Sequence, residues 1–408
     1  MKQLLFFFAI ISILILAAHH TFPVNAQDSD LELVSEVEYQ FGSHISFIGY
    51  PESSEKISRA VVFMRPKRGG ETLVLEASII EDAGVQRLEA IIDLRPAPIQ
   101  PFDLLTYWWR VDYVNGASHS NQAQEFRYDD NRFQWKQLSE VQISIFWVEG
   151  ADDRAEDILL LAQDSVMILR QSLGLSPPDF LAIYLYPSVA DLRSGLQIGG
   201  APWIGAHTVP ELGVVLLAAP NTPEALIALE RDLPHELAHL LLYEKMGESY
   251  ANLPAWLSEG LATLQETQAN PAYRFELERA VNADALLVTE SLCSSFPISE
   301  SDALLAYAQS ASFTQYLLDV YGMGGILQLL DAYQEGTTCT GGIQRVYQRP
   351  LTQLEAEWKR VHLQSPTSWQ RLTPILPWGL FLLLTALLVS IGFAVQTNRK
   401  RPPSDGRE

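Results

Sequence analysis

Five residues, His235-Glu236-Leu237-Ala238-His239, constrain this chain more than any others. Two histidines four apart lie one turn apart on the same helix face, so both imidazoles can reach one metal ion. Glu236 projects from the same turn, where it can take the proton of a water that the metal activates. Leu233, Leu237, Leu240, Leu241 and Leu242 make the segment mostly apolar. Polar side chains are costly to bury without partners, and a metal would supply them. The competing reading is a pair of satisfied core histidines.

A zinc site needs a third protein ligand. Downstream runs Pro254-Ala255-Trp256-Leu257-Ser258-Glu259-Gly260-Leu261-Ala262-Thr263, with Pro254 at a helix start and Trp256, Leu257, Leu261 and Leu264 as an apolar stripe. Glu259 falls among these positions. A second helix antiparallel to the first could bring its carboxylate to the open side of the two imidazoles; otherwise it is a solvated glutamate.

HELAH followed by WLSEG resembles the gluzincin zinc metallopeptidases of the peptidase MA-like family, over roughly residues 140 to 350 at most. The resemblance implies one catalytic zinc ion held by His235, His239 and Glu259, with Glu236 as the base. Relatives of the thermolysin type place an aspartate four residues after the third ligand, to support a histidine. Here Thr263 stands there, which leaves that support open. The family also stabilises the oxyanion with a tyrosine or histidine of a later helix. Tyr307 is the choice here over His207, Tyr243 and Tyr250, against its reading as an ordinary half-buried tyrosine.

The two ends give the expected compartment. Residues 1–26 read as a secretory signal, with Lys2, an apolar run from Leu4 to Ala18 and the small-residue site Val24-Asn25-Ala26. Ile375 to Val395 is a run of 21 uncharged residues, enough to cross a bilayer, followed by Arg399-Lys400-Arg401. The expected protein is single-pass in the cell membrane, its bulk extracytoplasmic and residues 396–408 cytoplasmic. Its net charge of −21 carries no basic stripe in the body of the chain, which argues against nucleic acid as a partner. In that compartment Cys293 and Cys339 are expected to form a disulfide.

The expected fold class is α+β. An all-β sandwich over residues 27–135, loosely similar to immunoglobulin or fibronectin modules, precedes a gluzincin-like metallopeptidase domain over 136–365 made of a mixed sheet and active-site helices. Five β-rich runs stand out in the first: Ile57 to Lys67, Glu71 to Ile80, Val85 to Leu94, Leu104 to Asn115 and Gln122 to Tyr128. Alternation puts Tyr107, Trp109, Val111 and Tyr113 on one face. In the second, Val141 to Val148 and Phe180 to Tyr186 read as strands. Asp152 to Leu173 reads as a helix ending at Gly174, and Val189 to Leu196 as a short one. Trp203 to Val209 and Gly213 to Ala219 read as a hairpin, with Gly213 to Ala219 the strand edging the cleft, where an extended peptide would add. Pro234 fits either the first turn of the motif helix or the interior of one beginning near Thr222. Two functions remain: a peptidase acting on protein or peptide, or a metallopeptidase-like binding or sensory module. In either, the N-terminal β domain could hold a partner.

Overall fold

Among the described residues, the N-terminal part is made of strands β1 (Leu33–Gln40), β2 (His44–Pro51), β3 (Ile57–Pro66), β4 (Leu73–Glu76), β5 (Ser78–Asp82), β6 (Val85–Asp93), β7 (Leu104–Tyr113), β8 (Ser118–Ser120) and β9 (Gln124–Arg127). The computed structural model describes residues 31–363 apart from 83, 96–98, 149–151, 176–177 and 197–204. The expected signal at 1–26, the expected span at 375–395 and the expected tail at 396–408 lie outside the described residues, as does Trp203. Among the described residues no helix is long and apolar enough to cross a membrane. The chain divides into two units, at Gln134 and Trp135.

Strict alternation builds the first unit. Along β7, Tyr107, Trp109, Val111 and Tyr113 are buried while the residues between them are half-exposed. The antiparallel sheets β1-β2-β6-β5 and β4-β3-β7-β8, with β9 also on β7, share one core. Phe47 packs its ring 5.0 Å from that of Tyr107, and Trp109 donates its indole N–H to Ser35. The run from Glu71 to Ile80 is two strands rather than one. β4 pairs with β3 in one sheet and β5 with β6 in the other, so the chain changes sheets at Ala77.

The second unit begins with β10 (Lys136–Glu140), β11 (Ile143–Trp147), α1 (Asp152–Leu173), β12 (Leu181–Tyr186), α2 (Val189–Leu196), β13 (Ala206–Val209) and β14 (Val214–Ala218). Its sheet has the order β10-β11-β12-β14-β13, with β11, β12 and β14 parallel and both outer strands antiparallel. β12 is buried on both faces, as an inner parallel strand must be. This order corrects one expectation. Gly213 to Ala219 does not edge the sheet: β14 lies between β12 and β13, and Ala206–Val209 is the outer strand. The hairpin turns through Pro210–Leu212 and Gly213, whose φ is 64° and where a Cβ would stand 2.5 Å from the Phe180 carbonyl oxygen.

Helices follow: α3 (Pro223–Met246), α4 (Ala255–Thr263), α5 (Pro271–Ala283), α6 (Glu300–Gln334, broken at Gly322), α7 (Cys339–Tyr347) and α8 (Leu351–His362). Thr222 caps α3, and Pro234 lies in its interior. A proline there cannot donate to the carbonyl four residues back. The orphaned Glu230 carbonyl accepts instead from the Thr267 hydroxyl at 2.8 Å. Behind α4, Trp256, Phe313 and Trp358 form a buried aromatic row joining α4, α6 and α8, with ring centroids 5.1 and 5.6 Å apart. Cys293 and Cys339 are disulfide-bonded, Cα atoms 6.0 Å apart, tying the segment before α6 to the start of α7.

Candidate metal centre

α3 and α4 bring three donor atoms together. His235 Nε2 and His239 Nε2 are 3.2 Å apart, and each is 3.4 Å from Glu259 Oε2. Zinc bonds of about 2.0–2.1 Å at tetrahedral angles would separate donors by about 3.3 Å, so the triangle fits one tetrahedral ion with its fourth position open. Glu259 Oε2 is buried without a hydrogen-bond partner among the described residues, a costly arrangement that a cation would relieve. Among the described residues these three form the one His/Cys/Asp/Glu group able to hold a metal.

Glu259 is placed by its neighbour. A Cβ on Gly260 would stand 2.3 Å from Thr314 Oγ1 and 2.7 Å from the Ser310 carbonyl. Only glycine lets α4 lie this close to α6.

Each imidazole is held from its far side. His235 Nδ1 lies 3.2 Å from Glu266 Oε1, to which Tyr273 also donates at 3.4 Å. His239 Nδ1 lies 3.1 Å from the Tyr250 hydroxyl and 3.2 Å from that of Ser258. With Nε2 given to a metal, Nδ1 carries the proton and donates to these oxygens, fixing ring and tautomer. Thr263 does not supply this support: its hydroxyl is buried and has no hydrogen bond among the described residues. Glu266, seven residues after Glu259, takes that part. It lies just past the end of α4, so helical spacing gives no signal for it. Thr208 and Ser258 are ordinary polar residues by type and carry no such signal, and Tyr250, weighed for the oxyanion, instead supports His239.

Glu236 hangs beside the triangle. Thr208 Oγ1 donates to its Oε2 at 2.5 Å and to its carbonyl at 3.1 Å, leaving Oε1 without a hydrogen bond among the described residues. Glu236, His235, His239 and Glu259 line one cavity with His207, Thr208, Tyr250 and Tyr307. Tyr307 stands edge-on to His235, ring centroids 6.0 Å apart, and packs on Tyr273 and Phe296. Its hydroxyl has no hydrogen bond among the described residues, whereas that of Tyr250 is engaged by His239 and Ser258. Tyr243 packs on Tyr250.

The electrostatics follow from crowding. Burial opposes a charge on His235, but Glu259 and Glu266 outweigh it and raise its pKa to about 10. Burial also opposes ionisation of Glu259, yet His239 and His235 hold its carboxyl well below the usual range. The charge of Glu259, then burial, keeps the Tyr307 phenol protonated. Burial pushes His207 down, towards its neutral form.

Residues 161–364, half of the chain, match the sequence profile of the Peptidase MA superfamily. The chain belongs to the Peptidase MA superfamily. No curated protein matches it. Among solved structures it is similar to an aminopeptidase N family protein from Idiomarina loihiensis, at 8% identity over 80% of this chain and 76% of that one, TM-score 0.38. It is also similar to the purple acid phosphatase PPD1 of yellow lupin, Lupinus luteus, at 11% identity over 41% and 31%, TM-score 0.21. A third is a cycloalternan-degrading enzyme from Trueperella pyogenes, at 12% identity over 26% and 16%, TM-score 0.18. The chain spans less than a third of the lupin and Trueperella proteins. The superfamily membership agrees with the metallopeptidase-like fold of the second unit, an α+β arrangement behind an N-terminal pair of β-sheets.

Proposed function

We propose that this protein is an extracytoplasmic zinc metallopeptidase, anchored to the cell membrane by residues 375–395 and hydrolysing peptide bonds of protein or peptide substrates. One observation carries the reading: the donor triangle of His235, His239 and Glu259 shares a cavity with the carboxylate of Glu236. Zinc, when bound, supplies a Lewis acid that polarises the substrate carbonyl and makes water acidic near neutrality.

The chain's own residues do the rest. Glu236 Oε1 takes the proton of the attacking water and passes it to the leaving amine. Thr208 holds Oε2, so the carboxylate keeps one orientation throughout. Glu266, Tyr250 and Ser258 fix the two imidazoles. Tyr307, protonated and with its hydroxyl unengaged, donates to the oxygen that gains negative charge. β13, the outer strand, contributes Ala206, His207 and Thr208 to the cavity wall, so an extended substrate would pair along it.

The compartment rests on the signal at residues 1–26, the apolar run and its basic flank. A cross-linked cysteine pair accords with export. The N-terminal β unit would then hold substrate or a partner outside the cell. Digestion of a peptide library by the full-length zinc-loaded protein tests the activity. Wild type should cleave, and Glu236→Gln should fall by about 10²–10⁴-fold. Equal cleavage by the two would remove Glu236 from the chemistry.

A further inference from the structure

A second cavity, of about 270 Å³, adjoins the metal-side one and shares His235, Glu236 and Tyr307 with it. That volume suits one side chain rather than a whole ligand. Because it begins at Glu236, its occupant belongs to a residue next to the bond being cut.

Its walls carry Asp232, Glu266 and Glu300. Arg231 is the one basic side chain besides His235 among the described residues that line it, and its Nε is bonded to Asp232 at 2.6 Å. Glu266 is 3% exposed at its side chain, and its Oε2 is buried with no hydrogen-bond partner among the described residues. Glu300, exposed in the first turn of α6, makes no ion pair among the described residues. A divalent ion would balance Glu236 and Glu259, and Arg231 balances Asp232. The charges of Glu266 and Glu300 remain. The negative charge of a buried carboxylate behind one wall and a carboxylate without an ion pair at the rim favour a cation and repel an anion.

We infer that this cavity is a specificity pocket for a basic side chain, so that the enzyme prefers lysine or arginine beside the scissile bond. The inference rests on the peptidase reading and names its substrate class. Arg231 gripping a substrate carboxylate is the opposite outcome.

The test uses end-blocked peptides that differ only in carrying lysine, norleucine or glutamate, given to the full-length zinc-loaded protein. Cleavage sites and kcat/KM should favour lysine over norleucine by about fivefold, with glutamate worst. Glu300→Gln should cut that preference to about twofold, through a lower kcat/KM for the lysine peptide. Raising salt from about 0.05 to 0.5 M should shrink the preference, a response that a purely steric pocket would lack. Cleavage without basic preference, or a preference untouched by Glu300→Gln, would overturn the pocket assignment and leave the peptidase reading intact. If wild type cleaves none of the peptides, that reading fails and binding to the Glu236→Gln protein decides. Tighter binding of the lysine peptide upholds the pocket, and equal or weaker binding overturns it.

Discussion

At the scale of single residues, the centre is set by what stands behind the ligands. Glu266 is the clearest case, because its carboxylate orients His235 and, after Glu259, helps raise its pKa to about 10. Glu266→Gln should weaken zinc binding by about 10–100-fold, measured by competition with a chromophoric chelator. An unchanged affinity would mean that His235 needs no such support. The same raised pKa fixes a pH dependence. His235 is protonated at neutral pH, and a metal that takes Nε2 must expel that proton. Zinc affinity should therefore rise with pH, with a logarithmic slope of about one between roughly pH 6 and 8. Calorimetry in buffers of differing ionisation enthalpy would register the released proton, and a flat profile would contradict the charge on His235. The donor residues themselves were readable from sequence, because helical spacing and apolar flanks leave few partners for two histidines. Glu266 was not. It sits just past the end of α4 in a polar stretch, where nothing in residue type marks it as buried.

Among elements, the approach of α4 to α6 carries Glu259 into place. Gly260→Ala would force a Cβ into Thr314 and the Ser310 carbonyl, at a cost of about 1–3 kcal/mol. It should lower both thermal stability and zinc occupancy. Loss of neither would show that the helices can part freely. The disulfide joins elements 46 residues apart in sequence. Replacing both cysteines with serine should cost about 2–4 kcal/mol, read from urea unfolding, and no change would contradict a structural role. Sequence pattern anticipated the alternating face of β7, the helix from Asp152 to Leu173 and the antiparallel hairpin near Pro210. It failed where tertiary pairing decides. The run from Glu71 to Ile80 looks continuous because its residue types suit either sheet, and only the crossing at Ala77 divides it. The outer place of β13 depends on β14 pairing in parallel with β12, which local sequence does not encode. Pro234 reads equally as a helix start or interior, until Thr267 is seen to serve the carbonyl that the proline leaves unbonded.

For the whole molecule, the chain joins a β unit to a peptidase MA unit, and the proposed role needs both ends of the sequence to place them outside a membrane. A chain ending before Ile375 should be released from cells that retain the full-length protein, and its retention would contradict the anchor. Metal analysis of the purified full-length protein should find about one zinc per chain. Glu236→Gln should keep that zinc, while His235→Ala and Glu259→Ala should lose most of it. Zinc content unchanged by either ligand substitution would contradict the three-ligand centre.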